Sequence, residues 1–163
     1  LSAADLEDSL RAAAAKWSFP TVPCTSLRVE VTRPEHKQRA EQDGKSVVMF
    51  RRSRWCHNER CGKASTFAIG AAAMTTVYPK NAGPGSVTEA DIELNAVHLA
   101  WRDGRVGKPV APLDAVLLHE IGHAIGLPDT PSSPDGTPGV MRPSRATELT
   151  PADIARVCAA FPR

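Results

Sequence analysis

Two histidines four residues apart, His119 and His123, followed by a glycine at 126 and an aspartate at 129, constrain this 163-residue chain more than any other feature. Residues at i and i+4 stand one turn above each other on the same helix face. Both imidazoles can therefore reach one ion at about 2.0–2.1 Å. The pattern around them predicts a helix over residues 112–125, apolar along Ala115, Leu118, Ile121 and Gly122. Gly126 is expected to end it, because a residue free to adopt positive φ lets the chain turn back sharply. That reversal brings Asp129 within reach as a third ligand, while Glu120 stands beside the histidines without ligating.

Three protein ligands leave a fourth position for water, which separates a catalytic zinc site from a closed structural one. Zinc lowers the pKa of such a water to about 7. Glu120 is then placed to take its proton and later deliver one to a leaving amine. Read separately, Gly126 is only a helix cap, Asp129 a turn acid and Met141 a core filler. Their joint spacing behind His-Glu-x-x-His is what argues for a metal site.

Elsewhere the chain alternates helical and extended patterns. Leu6, Leu10, Ala13, Ala14 and Trp17 recur at helical spacing, predicting an amphipathic helix over residues 2–17 with Ser2 as its cap. Leu27, Val29 and Val31 alternate with polar residues and predict a strand, and so do residues 46–50 and 66–78. Ile92, Leu94, Ala96, Val97 and Leu99 predict another, with alternation that blurs after Asn95. Thr150 followed by Pro151 predicts the start of a last helix with Ile154, Val157 and Cys158 on one face. Trp17, Trp55 and Trp101 are expected to pack rather than bind, and His36, His57 and His98 to lie at the surface or a rim.

Lysine and arginine outnumber aspartate and glutamate by 20 to 18, and the arginines are scattered apart from Arg51, Arg52 and Arg54, which read as a solvated strand edge or loop. Nucleic-acid binding is therefore not expected. No apolar run is long enough to span a bilayer, so no membrane partner is expected. The 4 cysteines permit three pairings, and in a small extracellular protein such a set forms disulfides. Cys56 with Cys61 and Cys24 with Cys158 are the favoured pairs, the second pinning the last helix near the end of the first. A metal knuckle built from Cys56, His57 and Cys61 is the rival, short of a fourth ligand. With neither an initiator methionine nor a basic-then-apolar leader, the chain reads as a mature, secreted form whose pro-segment, if any, lies out of view.

The run HExxHxxGxxD from His119 to Asp129, with Gly139-Val140-Met141-Arg142-Pro143 after it, resembles the metzincin metallopeptidases, closest to the matrixin-like and snapalysin-like members. In that resemblance Met141 belongs to a Met-turn under the metal. The aspartate at 129 departs from the commoner third histidine, although the snapalysin-like branch uses it. The implied fold is a single α+β domain over residues 1–163: a twisted mixed sheet with an antiparallel edge strand, a zinc helix, the Met-turn and a C-terminal helix. A strand that normally precedes the first helix is expected upstream of Leu1.

The implied activity is zinc-dependent endopeptidase cleavage by a monomer, with protein or peptide substrates. Ala71, Ala72, Ala73, Met74 and Thr75 would form the edge strand that pairs with an extended substrate. The specificity pocket would lie just beyond the zinc, lined by Val116 and Leu117 and by the segment after Met141, and would take an apolar primed-side residue of the substrate. A catalytically silent binding protein of the same fold is the alternative, with an intact Glu120 against it. A gluzincin-like site would need Glu148 as third ligand, and Asp129 fits better. Structural calcium would need oxygens such as those of Asp103 and Asp135, which form no dense acidic loop.

Overall fold

Ser2 opens the first helix, α1 (Ala3–Trp17), through a reciprocal cap: its hydroxyl accepts from the Asp5 N–H at 3.1 Å, and the Asp5 carboxylate accepts from the Ser2 N–H at 2.8 Å. The expected apolar stripe faces inward, and the Trp17 indole N–H donates to the Leu118 carbonyl at 2.8 Å, fastening α1 to α2 (Leu113–Ala124). The computed structural model describes residues 2–33, 38–57, 61–62, 66–81, 86–101, 108–130, 139–142 and 145–163. His36, Asp103, Asp135 and Pro143 lie outside these.

The fold is α+β. Among the described residues its main sheet has three strands in the order β1-β3-β2, where β1 is Val48–Arg51, β2 is Ala73–Pro79 and β3 is Val87–Asn95. β1 runs parallel to β3 with Phe50 opposite Leu94, and β2 runs antiparallel with Thr75 opposite Ile92. β2 is thus an antiparallel edge strand, as expected. A second, parallel pair joins β4 (Ala100–Trp101) to β5 (Val110–Ala111), which feeds directly into α2. The last helix, α3 (Pro151–Ala160), starts at the Thr150 cap with proline in its first turn. Trp17, Leu94, Leu117, Leu118, Met141 and Val157 meet in one core between sheet and helices.

Both favoured disulfides are present. Cys24 and Cys158 have Cα atoms 5.5 Å apart and tie the end of α1 to α3, while Cys56 and Cys61, at 5.3 Å, close the short loop. Oxidised sulfurs leave no metal knuckle at Cys56, His57 and Cys61. Trp17, Trp55 and Trp101 are all buried.

Several expectations from the sequence need correction. Leu27, Val29 and Val31 do turn toward the core with Arg28 and Glu30 exposed, but residues 27–32 join no ladder. Their backbone is held locally instead: Phe19 N–H donates to the Leu27 carbonyl, and Val29 N–H to the Ser18 hydroxyl. The strand expected over residues 66–78 begins only at Ala73, after a turn at residues 69–70. Arg51, read as solvated, is buried at the end of β1 with its guanidinium on Glu93.

β3 starts earlier than its apolar residues suggested and is buried on both faces. Ala90, Ile92 and Leu94 face the core, while Glu89, Asp91, Glu93 and Asn95 line the other side, all buried. These polar side chains clip neighbouring loops down. Glu89 accepts from the N–H groups of Asp43 and Gly44. Asp91 accepts from Val47, and Glu93 meets Arg51 and His57. Asn95 donates to the carbonyls of Ile69 and Ala71.

Burial pushes the Asp91 carboxyl up to about 7, with Glu89 and Glu93 adding to the rise against the Val47 N–H. A carboxyl raised in the folded state favours folding at low pH and loses that contribution as pH rises through the folded value. Asp91→Asn keeps an acceptor for Val47 and removes the ionisation. Its melting temperature relative to the parent is therefore expected to climb between pH 5 and 8 by a few degrees, on the order of 5 °C. Parallel thermal melts across that range check this, and parallel curves would refute it.

Candidate metal centre

Gly126 adopts φ 91°, and its N–H donates to the His123 carbonyl while Leu127 N–H reaches back to Gly122. That paired pattern is a Schellman end. It reverses the chain so that the Leu127 carbonyl accepts from His123 Nδ1 at 2.8 Å. His119 Nδ1 makes the matching bond to the Val140 carbonyl, also 2.8 Å. A carbonyl only accepts, so both rings carry a proton on Nδ1, and in a neutral ring Nε2 is then the nitrogen with the free lone pair.

The two Nε2 atoms lie 3.1 Å apart, and Asp129 Oδ1 lies 3.5 Å from the first and 3.4 Å from the second. With neutral rings these are three lone pairs pointed at one another, an arrangement relieved by a proton or a metal cation between them. Tetrahedral zinc with bonds of about 2.0–2.1 Å sets its ligand atoms roughly 3.3–3.4 Å apart, which is the size of this triangle. The residues therefore fit a zinc ion. Among the described residues no other group of three histidine, cysteine or carboxylate side chains converges in this way. Glu148, the rival ligand, is instead on the surface against Lys16 at 2.7 Å.

Met141 is fully buried beneath the helix, and a Cβ at Gly122 would lie 2.1 Å from its sulfur, so the glycine between the two histidines is what admits the methionine. The turn carrying Met141, closed by Arg142 N–H to the Gly139 carbonyl, supports two corners of the triangle at once. Val140 orients His119, and the Met141 carbonyl accepts from Thr130 N–H at 2.8 Å, next to Asp129.

Behind the turn stands a residue the sequence reading passed over. Asp153 in the first turn of α3 accepts from Val140 N–H at 3.0 Å as well as from Thr150 N–H and hydroxyl. Burial alone would raise its carboxyl, but the donors of Val140, Thr150 and Met141 together hold it below the usual carboxylate range. Its place three residues after Thr150 signalled a capping box; its reach to Val140 had no local signature.

Glu120 is buried, and one of its carboxylate oxygens accepts from the Thr75 hydroxyl on β2. The cleft between β2 and α2 has a volume of about 770 Å³ and is lined by His119, Glu120, His123 and Asp129 together with Ala71, Ala72, Ala73, Met74 and Thr75. Ala71 and Ala72 precede the strand rather than belong to it, and Asn95 holds their carbonyls. Val116 lines the cleft, but Leu117 is buried in the core. The segment after Met141 contributes Arg145, a cation beside a pocket expected to take an apolar substrate residue. His98 is half-buried and does not line the cleft.

No helix among the described residues is long and apolar enough to cross a membrane. No family model matches the chain, and no curated protein matches it either.

Proposed function

We propose that this chain is a secreted zinc-dependent endopeptidase of the metzincin type, with zinc held by His119, His123 and Asp129 and proton transfer carried by Glu120. The observation that carries this reading is the acceptor triangle, sized for tetrahedral zinc, with each imidazole locked in the ligating tautomer by a backbone carbonyl. Zinc bound there supplies a Lewis acid for the scissile carbonyl and makes water a nucleophile near neutral pH. The two disulfides suit an oxidising, extracellular setting.

The protein's own residues account for the rest. An extended peptide pairs with β2, the edge strand among the described residues, and crosses the cleft beside Glu120. Glu120 takes the proton of the attacking water and returns one to the departing amine. Thr75 holds one oxygen of that carboxylate, which lines the cleft. The Val140 carbonyl keeps His119 from turning.

Metal analysis combined with cleavage of an unfolded protein tests the reading. One zinc per chain is expected, with cleavage lost on chelation and restored by zinc. Purified chain that retains no zinc, or zinc-loaded chain that cuts nothing in a broad peptide library, would overturn it. Thr75→Val is expected to lower kcat about tenfold, the worth of one hydrogen bond to a charged group, with bound zinc and KM unchanged. Thr75→Ser should restore the rate. A rise in KM alone would reassign Thr75 to holding substrate.

A further inference from the structure

Arg145 is an exposed side chain on the wall of the cleft that holds His119, Glu120, His123 and Asp129. Most of the remaining lining is apolar, including Pro112, Val116 and Leu127. The two carboxylates of the cleft are already engaged. Glu120 is held by Thr75, and Asp129 faces the two histidines at 3.4 and 3.5 Å. Among the described residues Arg145 forms no ion pair, and it is the one lysine or arginine lining the cleft.

A guanidinium at the rim of an apolar trough recognises a particular chemistry. The trough takes an aliphatic stem, and the planar donors at its end take a carboxylate, with two parallel N–H bonds where geometry allows. An ammonium substrate group is repelled at the same place. We propose that Arg145 gives this cleft a preference for peptides bearing a carboxylate within a few residues of the scissile bond, glutamate favoured over its neutral isostere. The proposal rests on the peptidase reading and names the substrate class for that site. The carboxylate has two sources, an acidic side chain or the free C-terminus of a short peptide.

Zinc-loaded chain is given matched peptides that carry Glu, Gln or Lys at successive positions around the cleaved bond, with C-termini amidated or free. At one position Glu is expected to exceed Gln in kcat/KM by roughly three- to tenfold, the range for a partly exposed charge pair, and the ratio should shrink as salt is raised. The ratio should fall to about one in Arg145→Gln and turn in favour of Lys in Arg145→Glu. If only free-acid peptides gain, the C-terminus is the carboxylate being recognised. If amidated Glu peptides gain, the side chain is.

Equilibrium binding of the same peptides to the zinc-loaded Glu120→Ala variant reads recognition without turnover. Cleavage with no acid preference, or with a preference that survives Arg145→Gln, overturns the proposal and leaves the peptidase reading intact. Absence of cleavage alongside Arg145-dependent binding of acidic peptides overturns the peptidase reading and keeps the carboxylate site. Absence of both removes the two together.

Discussion

Glu120→Gln is expected to abolish peptide cleavage, lowering kcat by on the order of 10²- to 10⁴-fold, the usual contribution of a positioned general base, while zinc content stays at that of the parent. Glutamine keeps the shape of the side chain and an oxygen for the Thr75 hydroxyl, so the buried site is not left with a void or an unmatched donor. It removes only the ability to take a proton. Glu120→Ala should be equally inactive and adds the loss of the Thr75 contact. Zinc content, circular dichroism and single-turnover cleavage of one quenched peptide, measured side by side, decide the matter. If the glutamine variant kept a tenth of the parental rate, the assigned base would be wrong. If either variant lost its zinc, Glu120 would be acting on the metal rather than on the proton.

Asp153→Ala is expected to cost stability and metal affinity together. A helix cap alone is worth about 1 kcal/mol. Asp153 does more than cap, because its buried carboxylate also takes the Val140 N–H, and removing it leaves that buried donor unmatched at about 1–3 kcal/mol, beside two part-buried donors of Thr150. A loss of about 3 kcal/mol or more follows, readable by denaturant titration.

Zinc affinity should fall about 10- to 100-fold, the usual effect of disturbing a group that orients a ligand, since the Val140 peptide freed on one side holds His119 on the other. A drop of only ~1 kcal/mol with zinc affinity unchanged would reduce Asp153 to a plain cap. The depressed carboxyl adds a pH dependence. Its contribution is complete above the unfolded pKa and fades as pH falls through the lower folded value, so parent and variant should converge in stability in strong acid.

Much of the candidate site was legible because its rules are local. His119 and His123 share a face through helical geometry, and Gly126 reverses the chain through its positive φ. The three helices were readable for the same reason. Ser2 with Asp5 and Thr150 with Asp153 are caps closed within one turn, and apolar residues at period 3.6 mark the buried stripe. Strands were read less well. Leu27, Val29 and Val31 carry a sound alternation yet join no ladder, because a ladder needs a partner strand that no local pattern specifies. In β3 acids alternate with the apolar residues, and no local pattern says what covers them. Those acids are buried because Asp43, Gly44, Val47, Arg51 and His57 close against them.

The HExxHxxGxxD run therefore determined on its own which side chains can meet at a metal and where the helix between them ends. Only the tertiary structure decided what holds them there. The Val140 carbonyl comes from 21 residues away, Asp153 braces that peptide from 13 residues further on, and Thr75 reaches Glu120 across a separation of 45. Arg145 enters the cleft by the same route. Local periodicity fixes the direction of a side chain within its own element, whereas contacts between elements depend on how the core packs, which no short stretch of sequence encodes.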